Sequence, residues 1–426
     1  MRIVIHTQYY PPEMGAPQAR MSHLARSLVE AGHTVTVLTA APNYPCGRAY
    51  PGYSRRARLF QRENCDGLSV IRTFIYPARS NRLIARLANY FSFVFSSFLI
   101  GAVALPRADF LMTESPPLFA GLAGFLLSRL KGARWIFNVS DLWPESAVRL
   151  GAIGPGLSLR LGEWIESFCY RKAWAVTGQS REILDDIRRR FPGVATYHLS
   201  NGVDTGMFHP LRCSAEARAK LAGGKPFVAL YAGLFGIAQG LDQVLDAAGL
   251  LLQDRPEIQI VLMGEGVEKH RLMLRKQEMG LSNVTFQDAL AHNKMPAVLA
   301  SADIALVPLK GRLVGAVPSK IYEAMASGVP VLLIAEGEAA DIINGSGAGI
   351  AVAPGNPHLI AAALVSLLAD NEARVRMGEA GRRAAVGSFD RGMICDAFVR
   401  WLEDQTAVAV SKTPAGQVTL GTGDRL

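Results

Sequence analysis

The amino-acid sequence predicts an α/β protein with two doubly wound, Rossmann-like parallel-sheet domains that face a cleft. Short apolar runs alternate with helical patterns along most of the 426 residues. The runs are continuous stretches rich in Val, Ile and Leu, which is typical of parallel strands covered on both faces. They fall into two series that part near residues 201–210. Two sheets with helices on both faces account for all three observations.

The strand pattern sets the expected domain boundaries. In the first series, strands are predicted at residues 2–7, 34–40, 68–74, 108–114, 135–139, 173–178 and 197–200. In the second series, they are predicted at residues 227–233, 258–264, 284–288, 304–309, 329–334 and 349–353. We expect domains over residues 1–203 and 204–387, with a helix near 388–404 that packs back on the first domain. Residues 405–426 are polar and without periodicity, and we expect a disordered tail there.

The composition favours an anionic partner, because the chain carries a formal net charge of +9 at pH 7. Nucleic acid is disfavoured, since no recognised binding motif frames the charges and aromatic residues do not interleave with them. The five cysteines are scattered without the spacing of a zinc site, so no metal site is predicted. The apolar run after Arg2 is shorter than a secretory signal, and a cytoplasmic location is therefore expected.

Residues 87–106 form an uncharged stretch that is long enough to cross a membrane. Asn89 and several serines interrupt it, and a span would separate strands that are expected in one sheet. Three interpretations stay open: a membrane span, a buried core helix, and a helix that exposes an apolar face to lipid. Basic residues in the surrounding segment, among them Arg79, Arg82 and Arg86, favour contact with an anionic membrane. A solvated basic face is the alternative.

Open parallel sheets bind ligands beyond the carboxyl ends of their strands, so the loops there are the candidate site. After the first strand, Gly15 opens a helix and would let the backbone approach an anion. Asp141 follows the strand at residues 135–139, where it could orient a hydroxyl or accept a proton. The alternatives are an ordinary βα loop for the glycine and an N-cap role for Ser140 or Asp141. The loops "YAGLFG" and "LMGEG" of the second series also suit close backbone approach.

The segment "VPSKIYEAMASGVPVL" joins a helix to a buried strand. Pro318 fits the first turn of the helix and Gly328 fits its end. Lys320 and Glu323 are three residues apart, so they share one helix face near the positive end of the helix dipole. An exposed ion pair on a surface helix is the plain interpretation. A cation, a carboxylate and a helix amino end at a strand–helix junction also suit a ligand with phosphate and hydroxyl groups.

These segments, taken in order, resemble glycosyltransferase family 4. The likeness is closest to bacterial polysaccharide transferases of the amino-sugar (N-acetylfucosamine) or colanic-acid type. It rests on "QYYPPEMGAPQARM", "NVSDLWPES", "SNGVDTGMFHP", "YAGLFGIAQGLDQVLDAA", "LMGEGVEKHRL" and "VPSKIYEAMASGVPVL". Each segment is weak evidence alone, but the ordered set spans most of residues 4–333. The resemblance implies the two-domain GT-B fold, retention of anomeric configuration and no metal cofactor.

The resemblance also implies roles for residues. Glu323 would bind the ribose of a nucleotide-sugar, and Lys320 and Asp141 are the predicted catalytic residues. Lys320 would meet diphosphate charge, and Asp141 would orient the sugar or the acceptor. The predicted donor-binding residues are Gly15, Ala16, Gly233, Gly236, Gln239, Gly264, Gly266, Pro318, Ser319, Lys320 and Glu323. The predicted acceptor and membrane side comprises Arg20, Asn43, Arg79, Arg82 and Arg86.

The chain departs from the family pattern at several positions. Gly315 stands where the wider family carries a second glutamate, eight positions before Glu323. Leu234 and Gln239 stand where an arginine and a lysine are common, and Ser140 replaces a frequent histidine. Lys320 is therefore the nearest candidate for the missing diphosphate cations.

The implied reaction moves a sugar from a nucleotide-sugar, with UDP favoured, to a lipid-linked saccharide acceptor in cell-surface polysaccharide biosynthesis. The enzyme would sit peripherally on the inner face of the plasma membrane. A UDP-sugar epimerase of the same fold and a non-catalytic sugar-nucleotide-binding protein are the open alternatives. A nicotinamide-dependent oxidoreductase is disfavoured, because the loop after the first strand lacks the G-x-G-x-x-G pattern.

Overall fold

The computed structural model contains two parallel sheets, each between layers of helices. It describes residues 1–13, 15–44, 47–50, 52–53, 60–65, 67–78, 83–149, 154 and 156–411. The first sheet has the order β3-β4-β2-β1-β5-β6-β7-β8, and only β3 within it runs antiparallel to its neighbour. The second sheet has the order β11-β10-β9-β12-β13-β14 and is parallel throughout. The predicted fold class is confirmed.

The strands of the first sheet are β1 (Arg2–His6), β2 (Thr34–Ala40), β3 (Phe60–Cys65), β4 (Leu68–Thr73), β5 (Phe110–Ser115), β6 (Arg134–Val139), β7 (Ala175–Gly178) and β8 (Thr196–His198). Those of the second are β9 (Phe227–Ala232), β10 (Ile258–Met263), β11 (Val284–Gln287), β12 (Ile304–Pro308), β13 (Val331–Ile334) and β14 (Gly349–Val352). Every predicted strand corresponds to one of these. Strand β3 was missed, because its exposed, polar sequence lies at the sheet edge and lacks an apolar run.

The helices of the first half are α1 (Ala16–Glu30), α2 (Leu83–Ala104), α3 (Ala120–Lys131), α4 (Glu145–Arg149), α5 (Leu157–Lys172) and α6 (Arg181–Arg190). The second half contains α7 (Ala215–Ala222), α8 (Asp242–Leu251), α9 (Lys269–Glu278), α10 (Met295–Ala300), α11 (Ser319–Ala326), α12 (Glu338–Ser346), α13 (Pro357–Ala369), α14 (Asn371–Ser388) and α15 (Arg391–Ser411). In the first sheet, α1 and α15 cover one face, and α2, α3, α5 and α6 cover the other.

Two chain segments cross between the sheets side by side. The Val203 N–H donates to the Phe389 carbonyl at 2.8 Å, and the Arg391 N–H donates to the Val203 carbonyl at 2.8 Å. Helix α15 then packs on α1, where Phe398 and Leu402 join Leu24 and Leu28 in one apolar cluster. The helix continues to Ser411, which corrects the predicted start of a disordered tail at residue 405. Residues 412–426 lie outside the described residues.

Helix α2 contacts the sheet through polar as well as apolar side chains. Asn89 donates to the Tyr76 carbonyl at 2.7 Å, and Ser97 Oγ lies 3.1 Å from His6 Nε2. Within the described part of the chain, α2 is the one helix long and apolar enough to cross a membrane, and 22% of its apolar window is buried. Val103 is 88% exposed. The interpretation of residues 87–106 as a fully buried core helix is therefore wrong.

The docking of α15 can be tested by stability. Phe398→Ala removes a buried aromatic ring at the α1–α15 contact and should lower the free energy of unfolding by about 3–5 kcal/mol. Met393→Ala, on an exposed position of the same helix, is the control and should change it by less than about 0.5 kcal/mol. Urea denaturation measures both. Equal effects would mean that α15 is not part of the first domain's core.

Candidate functional site

Two glycine loops meet at the carboxyl ends of β9 and β10. A Cβ on Gly264 would lie 1.8 Å from the Gly233 carbonyl oxygen, and a Cβ on Gly266 would lie 2.4 Å from that of Phe235. Backbone atoms cannot yield as side chains can, so both positions require glycine. The close approach of the two loops leaves bare backbone facing the amino end of α11.

Lys320 lies beneath the first of these loops. A Cβ on Gly233 would lie 2.1 Å from Lys320 Cε, so the absence of a side chain at Gly233 makes room for the lysine. Lys320 Nζ donates to the Tyr231 hydroxyl at 3.4 Å and lies 4.8 Å from the centroid of its ring. Tyr231 in turn donates to the Leu234 carbonyl at 2.5 Å, which ties the loop to the strand.

The Lys320 ammonium has little solvent around it. Burial lowers its pKa to about 8, against the weaker opposing effect of Glu323. The ammonium is therefore present at neutral pH, and no described carboxylate forms an ion pair with it. A partly desolvated cation that forms no ion pair with a described carboxylate attracts an anionic ligand.

Glu323 lies one turn further along α11 and is half-buried. Burial raises the pKa of its carboxyl, and the positive charges of Arg391 and Lys320 oppose that shift. Arg391 is anchored at the crossing segments, where its guanidinium donates to the carbonyls of Asn201 at 3.1 Å and Gly202 at 3.0 Å. Among the described residues, none donates a hydrogen bond to the Glu323 carboxylate, which leaves both oxygens open to a ligand.

The other predicted donor residues belong to several separate segments. Pro318 precedes α11, and Ser319 is its first residue. Gly15 precedes α1, which begins at Ala16. Gln239 accepts a hydrogen bond from the Gly236 N–H at 3.1 Å, so its side chain closes its own loop. A cavity of about 560 Å³ opens beside that loop, and Gly236 and Lys310 line it, whereas Lys320 and Glu323 do not.

On the first-domain side, Arg20 forms a buried network. Its guanidinium donates to Glu114 at 2.6 Å, to Ser140 at 2.5 Å and to Asn201 at 2.7 Å. Thr7 donates to the other Glu114 oxygen at 2.6 Å. The network stabilises the wall of the cleft, and the acceptor role of Arg20 stays a prediction.

Asp141 faces the same network from the loop after β6. Its side chain is exposed, yet desolvation by the surrounding protein raises its pKa to about 6, and the positive charge of Arg20 opposes that shift. A carboxyl with such a pKa can exchange a proton near neutral pH.

A second polar network surrounds Asn43. The Asn43 N–H donates to Glu13 at 2.7 Å, and Asn89 of α2 donates to the Asn43 side-chain oxygen at 3.4 Å. Asn89 also accepts from Gln8 at 2.9 Å, and the other polar atom of Gln8, Oε1, is buried without a partner. Gln8, Glu13 and Asn89 were not predicted as site residues, although Gln8 and Glu13 lie in the segment "QYYPPEMGAPQARM", which could have drawn attention to them. Arg79 and Arg82 lie outside the described residues, and Arg86 lies on α2 without a described side chain.

Gly315 lies where the first domain touches the second. Its N–H donates to Glu182 of α6 at 2.7 Å, and a Cβ there would lie 2.3 Å from Ile183 Cγ1. The Glu182 N–H donates to Glu338 of α12 at 2.8 Å. The departure at residue 315 thus has a structural reason, because a side chain there would clash with α6.

No group of three metal-binding side chains occurs in the described ranges.

Comparison with known proteins identifies the family. The model described as glycosyl transferase 4-like domain matches residues 15–202, and the model described as glycosyl transferases group 1 matches residues 214–384. The chain belongs to the glycosyltransferases. The putative colanic acid biosynthesis glycosyl transferase WcaI of Escherichia coli K12 is 28% identical over 348 residues, covering 79% of this chain and 84% of the relative.

Solved structures confirm the GT-B fold of this glycosyltransferase. Sucrose-phosphate synthase from Thermosynechococcus elongatus superposes with a TM-score of 0.76 at 20% identity, covering 96% of this chain and 99% of the other. HepE from Anabaena, solved in complex with UDP-glucose, superposes with a TM-score of 0.69 at 16% identity, covering 95% and 100%. The pair of Rossmann-like sheets found here is therefore the arrangement of known sugar-transferring enzymes.

The charge state of Lys320 generates a pH prediction. Its ammonium is present below about pH 8 and lost above, so kcat/KM for the donor should fall as the pH rises through about 8. Lys320→Arg keeps its charge at every accessible pH and should abolish this decline, even if its absolute rate is lower. Lys310→Arg, at an exposed position, is the control and should retain the decline. An unchanged decline in Lys320→Arg would assign the titration to another group.

Proposed function

We propose that this glycosyltransferase transfers a sugar from a nucleotide-sugar, with a UDP-sugar favoured, to a lipid-linked saccharide acceptor in cell-surface polysaccharide biosynthesis. The observation that carries the donor half is the pairing of Lys320 and Glu323 on α11 beside bare glycine backbone. The lysine would meet the diphosphate and the glutamate the two ribose hydroxyls. The complex of HepE with UDP-glucose shows that a UDP-sugar fits the same fold.

The proposed chemistry needs little covalent help from the protein. As the glycosidic bond breaks, negative charge grows on the diphosphate, and a cation already in place stabilises that charge without reorganisation. The amino end of α11 adds its free N–H groups and the positive end of its dipole. Asp141, opposite on the first domain, would orient the sugar or the incoming hydroxyl. Transfer with retention of anomeric configuration follows from the resemblance to family 4 and is part of the proposal.

The acceptor half rests on α2. The amino-terminal part of this helix bonds the predicted acceptor residue Asn43 through Asn89, and its outer face is apolar and exposed. A lipid-anchored saccharide in the adjacent membrane would place its sugar near the cleft. We therefore propose a peripheral enzyme on the inner, cytoplasmic face of the plasma membrane.

Donor binding is the first test. Glu323→Gln keeps the size of the side chain but removes its charge, and should weaken binding of the preferred nucleotide-sugar about tenfold or more, since hydrogen bonds to charged groups contribute roughly 1.5–3 kcal/mol. Glu379→Gln on the exposed part of α14 is the matched control. Thermal shifts with UDP-, GDP- and ADP-sugars first identify the donor, and calorimetry then compares the variants. Equal affinities for wild type and Glu323→Gln would reject this donor site.

Product analysis separates transfer from its alternatives. With donor and membrane lipid extract, the proposal predicts sugar incorporation into lipid and release of nucleoside diphosphate. An isomerised nucleotide-sugar without incorporation would indicate an epimerase, and binding without any product would indicate a non-catalytic protein.

Metal dependence gives a further prediction. Because Lys320 and the α11 amino end would supply the positive charge at the diphosphate, transfer should persist in excess chelator. Loss of activity with EDTA that added magnesium restores would show that a metal ion carries this charge instead.

A further inference from the structure

One side of the first domain exposes many large apolar side chains. They belong to α2, α3 and α5, which form the helix layer on one face of the first sheet. We call this surface the three-helix face; it consists of Phe91, Phe95, Leu99, Val103, Leu126, Leu130, Leu157, Leu161 and Trp164. Their spacing of three or four residues places each set along one side of its helix. Soluble monomers rarely expose apolar patches of this extent without a partner.

The three helices are in direct contact. A Cβ on Gly101 of α2 would lie 3.0 Å from the Leu127 methyl carbons, so α2 and α3 pack closely. Between α3 and α5, the rings of Phe125 and Phe168 meet edge to face at 5.0 Å, and Trp164 stacks on Phe168 at 5.8 Å. The apolar rows therefore lie side by side on one surface.

A basic pocket opens at the carboxyl-terminal ends of α3 and α5. Its volume is about 400 Å³, and it is lined by three cations and two indole rings, which are Arg129, Arg134, Lys172, Trp135 and Trp174. Phe125 also lines it, so the pocket adjoins the aromatic contact between α3 and α5. None of its lining residues is acidic.

The three cations differ in how they are held. Arg134 donates to the Gln405 carbonyl at 2.9 Å and stacks over the Trp174 ring at 5.4 Å, so it is fixed in place. Arg129 and Lys172 are exposed. Across the described ranges, no carboxylate forms an ion pair with any of the three. An anion with several oxygens could contact all three groups.

We infer that the three-helix face docks on an anionic lipid bilayer and that this pocket binds the phosphate of an acidic phospholipid headgroup. The inference rests on the proposed function, in which the acceptor is lipid-linked. An apolar surface bordered by unpaired cations complements the boundary between acyl chains and anionic headgroups. Helix α2 also reaches from this surface to Asn43 in the cleft, which favours a lipid over a protein as the occupant.

Vesicle flotation with the full chain tests the pocket. Arg129→Gln with Lys172→Gln removes its two exposed cations, and Arg212→Gln with Lys294→Gln removes two exposed cations of the second domain as a charge-matched control. Each basic residue near an anionic surface strengthens binding about fivefold, so the pocket pair should weaken binding to phosphatidylglycerol vesicles roughly 30-fold at low salt. The control pair should weaken it less than about threefold, and neutral phosphatidylcholine should not distinguish the two.

Two further measurements identify what binds to the three-helix face and to the pocket. Phe95→Ser with Val103→Ser should weaken binding to both kinds of vesicle, because it removes apolar area rather than charge. Millimolar inorganic phosphate should leave vesicle binding intact; displacement would assign the pocket to free phosphate and overturn the inference. Equal behaviour of the pocket pair and the control pair would overturn it as well.

Measurements of donor binding distinguish a failure of this inference from a failure of the proposed function. Wild type and the three double-substituted chains should bind the donor nucleotide with equal affinity in calorimetry, because the pocket lies at the far end of the helix layer from the cleft. If wild type binds phosphatidylglycerol but no nucleotide-sugar, the proposed function fails and the lipid pocket stands. If nucleotide binds and vesicles do not, the inference alone fails.

Discussion

The site depends on one electrostatic arrangement, which is a half-buried lysine beneath bare backbone that forms no ion pair with any described carboxylate. Lys320 passes under Gly233 and contacts the ring and hydroxyl of Tyr231. Holding a cation in such a place costs free energy, which the lowered pKa of the lysine reflects. An anionic ligand would remove that cost on binding. The glycines at 233, 264 and 266 serve the same arrangement, since side chains there would occupy the space of the lysine or of the neighbouring loop.

Around this cation, the fold brings the two domains together. Arg391 begins the helix that returns to the first domain, and its charge acts on Glu323 of the second. The carboxylate of Glu182 meets the backbone of Gly315, so contact between the domains takes the position at which the resemblance to family 4 implies a glutamate. The predicted donor residue Glu323 is thus coupled electrostatically to Arg391, which is anchored where the chain crosses between the domains.

Much of the fold could be predicted from the sequence, because buried parallel strands leave continuous apolar runs. Strand β3 shows the limit of that signal: it pairs at the edge with β4 alone, and its polar residues carry no pattern. The end of α15 was misplaced because contacts with distant residues lie beyond residue 404, such as the hydrogen bond from Arg134 to the Gln405 carbonyl. Helix α2 shows the opposite limit. Its long apolar sequence did not distinguish a buried helix from one that exposes an apolar face.

The candidate site was predictable where local spacing carries the chemistry, as for Lys320 and Glu323. It was not predictable where distant segments meet. Tyr231 reads as an ordinary strand residue, and its contact with Lys320 arises because the lysine side chain passes under Gly233 at the carboxyl end of β9. Arg20 was predicted on the acceptor side, but its burial against Glu114, almost a hundred residues away in the sequence, could not be predicted from local spacing.

The most direct test of the account is calorimetry of UDP and uridine binding to wild type and Lys320→Ala. If Lys320 is the diphosphate cation, the substitution should weaken UDP binding at least tenfold and leave uridine binding unchanged. Equal losses for both ligands, or no loss for UDP, would contradict the claim that the lysine beneath Gly233 holds the diphosphate.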